Sequence, residues 1–70
     1  MPFEYDADNV FTYHAPKEGQ HEKYTELRAE AKLLANKVLA LCPNSPERTL
    51  ALRKLEESVM WANASIARNE

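Results

Sequence analysis

Seventy residues carrying nine basic and eleven acidic side chains, for a formal net charge of −2, exclude a protein that coats a long nucleic acid, which needs a basic face. One core at this length is thin, and small chains lean on disulfides, metals or self-association. Cys42 is the only cysteine, which rules out an internal disulfide, and no His/Cys cluster suggests a structural metal, so self-association into a homo-oligomer is expected.

The lone cysteine suits a reducing, intracellular setting. No apolar run reaches the length of a membrane span and no signal-peptide pattern opens the chain. A soluble, cytoplasmic protein without membrane contact is expected.

Residues 1–19 are the irregular part. Pro2 and Pro16 limit helix there, and Gly19 is the only glycine. The run Asp6-Ala7-Asp8-Asn9-Val10-Phe11 suits a short helical turn capped by Asp6 or Asp8. Phe3, Tyr5, Phe11 and Tyr13 are four of the six aromatics. Disordered tails are poor in aromatics, so this arm is expected to pack on something.

The first long helix is predicted from about residue 20 to Leu41. Tyr24, Leu27, Ala31, Leu34, Val38 and Leu41 repeat with heptad spacing, and Leu33, Ala35, Leu39 and Ala40 widen the apolar face. Glu18 and Glu22 suit the positive end of the helix dipole. Pro43 ends the helix, because the residue before a proline is pushed out of α geometry.

The linker Cys42-Pro43-Asn44-Ser45 is short enough to make the two helices antiparallel neighbours. The second helix, about residues 45–69, is capped by Asn44 or Ser45, with Pro46 just inside its start. Leu52, Leu55, Val59, Ala62 and Ile66 form its seam. Leu50, Lys54, Glu57, Trp61, Ala64 and Arg68 form a second stripe that one hairpin partner cannot cover. The fold class is all-α: a two-helix hairpin with an N-terminal arm, one domain over residues 1–70.

Several constellations have ordinary explanations. Glu22, Glu26 and Glu30 share a helix face with lysines close by, and read as solvated. Cys42 has no positioned base beside it and reads as a partly buried structural thiol. His14 and His21 match no metal spacing. One glycine cannot make a phosphate loop.

Phe11-Thr12-Tyr13-His14-Ala15-Pro16-Lys17 is more informative. Extended, it puts Phe11 and Tyr13 on one side and Thr12 and His14 on the other. The aromatics either staple the arm to the hairpin or stay at the surface, where a ring stacks on a base. Arg28 flanks the Leu27/Ala31 seam. A salt bridge to Glu22 or Glu26 is its default role; a partly buried phosphate clamp is the other. Arg68 lies at the last turn, where it complements the helix dipole.

The pattern Phe11-x-Tyr13-His14-x-Pro16-x-x-Gly19-Gln20-x-Glu22-x-Tyr24-x-x-x-Arg28, followed by Leu55-Glu56-Glu57-Ser58-Val59-Met60-Trp61-Ala62-Asn63-Ala64-Ser65-Ile66-Ala67-Arg68-Asn69, resembles the small phage anti-CBASS sponge proteins. Those share a hairpin domain with the anti-Thoeris sponges. The resemblance covers nearly all of the chain after residue 10, and its closing run is the most specific part.

The resemblance implies a non-enzymatic binder without a cofactor or metal. Such proteins hold the cyclic oligonucleotide messengers of bacterial antiviral systems, cyclic GMP–AMP among them, in the host cytoplasm and away from the effector. They assemble from hairpins, typically as hexamers, with pockets between protomers. Cyclic dinucleotides occupy one type of pocket and cyclic trinucleotides a separate type. By resemblance Tyr13 stacks on a base and Arg28 contacts phosphate, with Phe11, His14 and Pro16 shaping the same pocket. Arg68 is the candidate for the second pocket. Two departures stand out: lysine is common where Arg28 stands, and proline is common where this chain has His21.

Two other readings come from different classes. One is a helical interaction module whose aromatic arm docks a protein partner. The other, a phosphodiesterase acting on the same messengers, lacks a metal set or general-base pair in the sequence.

Overall fold

The computed structural model describes residues 4–70. Met1, Pro2 and Phe3 lie outside the described residues, and with them the expected packing of Phe3. The described chain holds three helices, α1 (Ala7–Val10), α2 (Gln20–Leu41) and α3 (Pro46–Asn69), and no strand.

Each helix begins where local chemistry starts it. Asp6 caps α1, its carboxylate accepting from the Asn9 N–H at 3.1 Å. Gly19 precedes α2 at φ 86°, a left-handed conformation that costs a glycine little. Ser45 rather than Asn44 caps α3, its hydroxyl accepting from the Arg48 N–H at 3.1 Å, with Pro46 in the first turn.

The turn between α2 and α3 is held by Arg48. Its guanidinium donates to the carbonyls of Leu39 (3.4 Å) and Cys42 (3.3 Å) and to the Asn44 side chain (3.2 Å). Helix C-termini leave carbonyls without partners, and this arginine satisfies them from the next helix. Cys42 itself is exposed, not partly buried as expected. Its position past the end of α2 leaves nothing to cover the thiol.

α2 and α3 pack as a hairpin. On α3 the half-buried seam is Leu52, Leu55, Val59, Ala62 and Ile66, as expected. On α2 it is Tyr24, Leu27, Ala31, Ala35 and Val38. The expected heptad members Leu34 and Leu41 are instead 50% and 76% exposed. A straight helix of 3.6 residues per turn drifts off a seven-residue repeat, so Ala35 replaces Leu34 in the seam. Ala64 departs from the Trp61 stripe: it is half-buried while Trp61 is 61% exposed.

No hydrophobic side chain is buried among the described residues; the single buried residue is Gln20, 3% exposed. Leu33, Leu39, Leu50 and Met60 are all exposed. The hairpin is an open two-helix layer measuring 42 × 27 × 23 Å, not a closed core.

Candidate functional site

The N-terminal arm reaches the C-terminal end of α3 and docks there through polar groups. The Asn9 side chain donates to the Arg68 carbonyl at 3.0 Å. Lys17 donates to the main-chain oxygen of Glu70, and the Gln20 amide donates to the Ile66 carbonyl at 3.5 Å. These acceptors belong to the orphan carbonyls of a helix end, and the lysine suits its negative dipole.

Gln20 joins the pieces. Its side-chain oxygen accepts from the Lys17 N–H at 2.9 Å, and its amide also donates to the Glu70 carboxylate at 3.4 Å. Lys23 pairs with the same carboxylate. That Lys23 hydrogen bond, foremost, holds the Glu70 carboxyl below its ordinary value; loss of water around the carboxylate opposes the shift, and Gln20, the Lys23 charge and Lys17 add to it.

This polar clasp replaces the aromatic staple. Phe11 is 81% and Tyr13 84% exposed, so neither ring anchors the arm. Phe11 closes α1, its N–H donating to the Ala7 carbonyl at 2.9 Å, and this turns its side chain to solvent. Gly19 marks where α2 starts, at Gln20, but nothing in the sequence marks the clasp. A lone glutamine at a helix start gave no reason to expect burial.

The docked arm creates an open cleft of about 410 Å³. Tyr13, His14 and Pro16 line it from the arm, Tyr24 and Arg28 from α2, and Asn63, Ala64 and Ala67 from α3. Four of the expected residues, Tyr13, His14, Pro16 and Arg28, therefore share one cleft. Phe11 does not line it.

His14 is fixed by its ring: Nε2 lies 2.7 Å from the Asn9 carbonyl. A carbonyl only accepts, so Nε2 carries the hydrogen. Arg28 is exposed rather than partly buried. The expected pairing with Glu22 or Glu26 is absent, since the ion pairs among the described residues are Lys23–Glu70, Arg53–Glu56 and Lys54–Glu57. The arginine faces the cleft across its helix while the glutamates follow other rows.

Arg68 lies elsewhere. It is half-buried and lines a separate cavity of about 410 Å³ with Tyr5, Asp6, Asn9, Val10 and Asn69. Glu4 completes its rim. Among the described residues no cluster of His, Cys, Asp and Glu suits a metal ion. No described helix is long and apolar enough to cross a membrane.

The family model described as the Acb2/Tad1 hairpin domain matches residues 5–67, which takes in the arm from Tyr5, all of α2, α3 as far as Ala67 and every cleft residue. The chain belongs to the Acb2/Tad1 hairpin family. This is the anti-CBASS and anti-Thoeris sponge family, known for sequestering cyclic nucleotides rather than for catalysis. Neither the curated proteins nor the solved structures gave a significant match.

Proposed function

We propose that this Acb2/Tad1-family chain is a non-enzymatic sponge for cyclic dinucleotides, holding them in the Tyr13–Arg28 cleft and thereby blocking a bacterial antiviral signal in the host cytoplasm. The observation that carries this reading is one juxtaposition. An exposed tyrosine ring and an arginine without a carboxylate partner among the described residues line the same cleft. A nucleotide offers the complements of both, a flat base and a charged phosphate.

The arm gives the ring its place. The Asn9, Lys17 and Gln20 bonds tie its two ends to α3, so the Tyr13–Pro16 segment spans the cleft. His14 and Pro16 shape the wall, and Phe11, which does not line the cleft of its own protomer, is proposed to border the pocket in the assembly. The arm (1–19) and the two helices then act as one sponge domain. The Arg68 cavity is proposed as the second pocket, for cyclic trinucleotides.

Assembly completes the pockets. Without one buried hydrophobic side chain among the described residues, a lone hairpin has little to offset its chain entropy. Copies of the chain covering the exposed leucines supply that burial. A hexamer, the assembly implied by the resemblance, surrounds a two-fold ligand with two equivalent clefts. No long DNA or RNA is expected as a ligand, given the acidic charge balance.

Titration calorimetry of the size-checked oligomer with cyclic dinucleotides tests the reading. Saturable binding supports it. A protein that takes up none of them, yet retains a protein partner through the exposed Phe11 arm, is an interaction module instead.

A further inference from the structure

One polar atom of the cleft is unexplained. The side-chain oxygen of Asn63 is buried and has no hydrogen-bond partner among the described residues, and Asn63 lines the cleft beside Arg28 and Tyr13. Native structures pair nearly all such atoms, and an exception needs a reason. A buried carbonyl left unpaired is destabilising. Its neighbours Ala64 and Ala67 are small and line the same wall, which leaves room beside the amide.

Asn63 is a residue that the site's other features do not account for. Tyr13 supplies a face and Arg28 a charge, and neither distinguishes one base from another. Every base has a π-face, and every nucleotide has a phosphate. A primary amide differs in kind: it presents an acceptor and a donor side by side in one plane. The matching pattern on adenine is the amino N6–H beside the ring acceptor N7.

We infer that Asn63 is the base-reading residue of this cleft, its side-chain oxygen accepting the amino N–H of a bound adenine while its NH₂ donates to the ring nitrogen. The terminal torsion of asparagine is soft, and rotation about it turns the buried oxygen from the cleft wall towards the ligand. The inference rests on the proposed cyclic-dinucleotide reading of the same cleft.

The test is a two-by-two comparison by calorimetry on oligomers checked for size. One axis is wild type against Asn63→Leu, which keeps the side chain's shape and removes both polar atoms. The other is cyclic di-AMP against its analogue with purine in place of adenine, which lacks only the amino groups. The wild type should lose about ten- to a hundredfold in affinity when the amino groups are removed. Asn63→Leu should lose a similar factor for cyclic di-AMP and be indifferent to the analogue.

The ligand axis needs no variant, so it stands even if Asn63→Leu misfolds. Equal wild-type affinity for the two ligands overturns the inference and leaves the sponge reading intact. An Asn63→Leu protein with normal affinity but altered assembly also overturns it, because the amide then pairs across a protomer interface. A wild type that binds neither ligand nor any other cyclic dinucleotide overturns the sponge reading and this inference together.

Discussion

If the cleft holds a nucleotide as proposed, Tyr13 and Arg28 divide the holding between a face and a charge, so their losses should be separable. Tyr13→Ala removes a stacking surface, worth about 1–3 kcal/mol per base. Arg28→Ala removes a charge-assisted phosphate contact of about 1.5–3 kcal/mol, at the lower end for a guanidinium as exposed as this one. A two-fold ligand that meets each residue twice roughly doubles both. Arg28→Lys should lose less, since the charge stays and only the fork is lost. Both alanine variants should stay folded, because Tyr13 and Arg28 are exposed. Unchanged affinity in both, measured by calorimetry, would place the ligand elsewhere.

Glu70 brings a pH dependence to the arm. Its carboxyl is depressed chiefly by the Lys23 hydrogen bond. A depressed carboxyl stabilises the clasp above its ordinary range, and the stabilisation disappears as pH falls through the lowered value. The side-chain amide resonances of Gln20 should therefore shift on acidification below the ordinary carboxylate range, and Glu70→Gln should remove that shift. Resonances that titrate identically in Glu70→Gln would show that the clasp does not depend on this charge. The resemblance singled out Tyr13 and Arg28, and folding brings them to one cleft. Nothing in the sequence marked Gln20 for burial or Asn63 for an unpaired oxygen, because both depend on what folding brings near them.

At the scale of elements, the arm is only as well placed as the turn that joins it to α2. Gly19 sits at φ 86° with nothing within 4 Å of where a Cβ would stand. Gly19→Ala therefore meets no clash, only the backbone cost of a left-handed residue, about 1–2 kcal/mol. Thermal unfolding should show that loss, and ligand affinity should fall if the turn relaxes and moves Tyr13. A variant as stable as the wild type would mean that the turn readily adopts another path.

The helices themselves were legible from residue order alone. Pro43 and Pro46 bracket the turn, and the seam of α3 follows from its spacing. The α2 seam departs from heptad spacing at Leu34 and Leu41, since a heptad fits a supercoil and a short hairpin keeps 3.6 residues per turn. Arg48 was not legible either: nothing in its spacing says that a surface arginine will close the end of the previous helix.

Across the whole molecule, the absence of any buried hydrophobic side chain among the described residues is the dominant fact. Ala31, Ala35, Leu39, Leu52, Val59 and Met60 line a groove of about 510 Å³ between α2 and α3, and Met60 is 69% exposed. If copies of the chain cover that groove, Met60→Glu buries a charge without a partner and should lower the sedimenting mass. The lone hairpin would tolerate the same change, because the side chain already faces water. Ala64 is the poorer probe: it lines the proposed ligand cleft, so a carboxylate there would repel a bound phosphate whatever happened to assembly. A wild-type protein that sediments as a monomer at micromolar concentration would contradict the proposed assembly.

Holding a messenger without altering it is the central claim, and one experiment addresses it. The protein is incubated with a cyclic dinucleotide, separated from free ligand, heat-denatured, and the released nucleotide is chromatographed. The sponge reading predicts recovery of the intact cyclic dinucleotide in fixed proportion to protein. Linear product would reveal an enzyme, and the absence of any retained nucleotide would show that the cleft does not bind it.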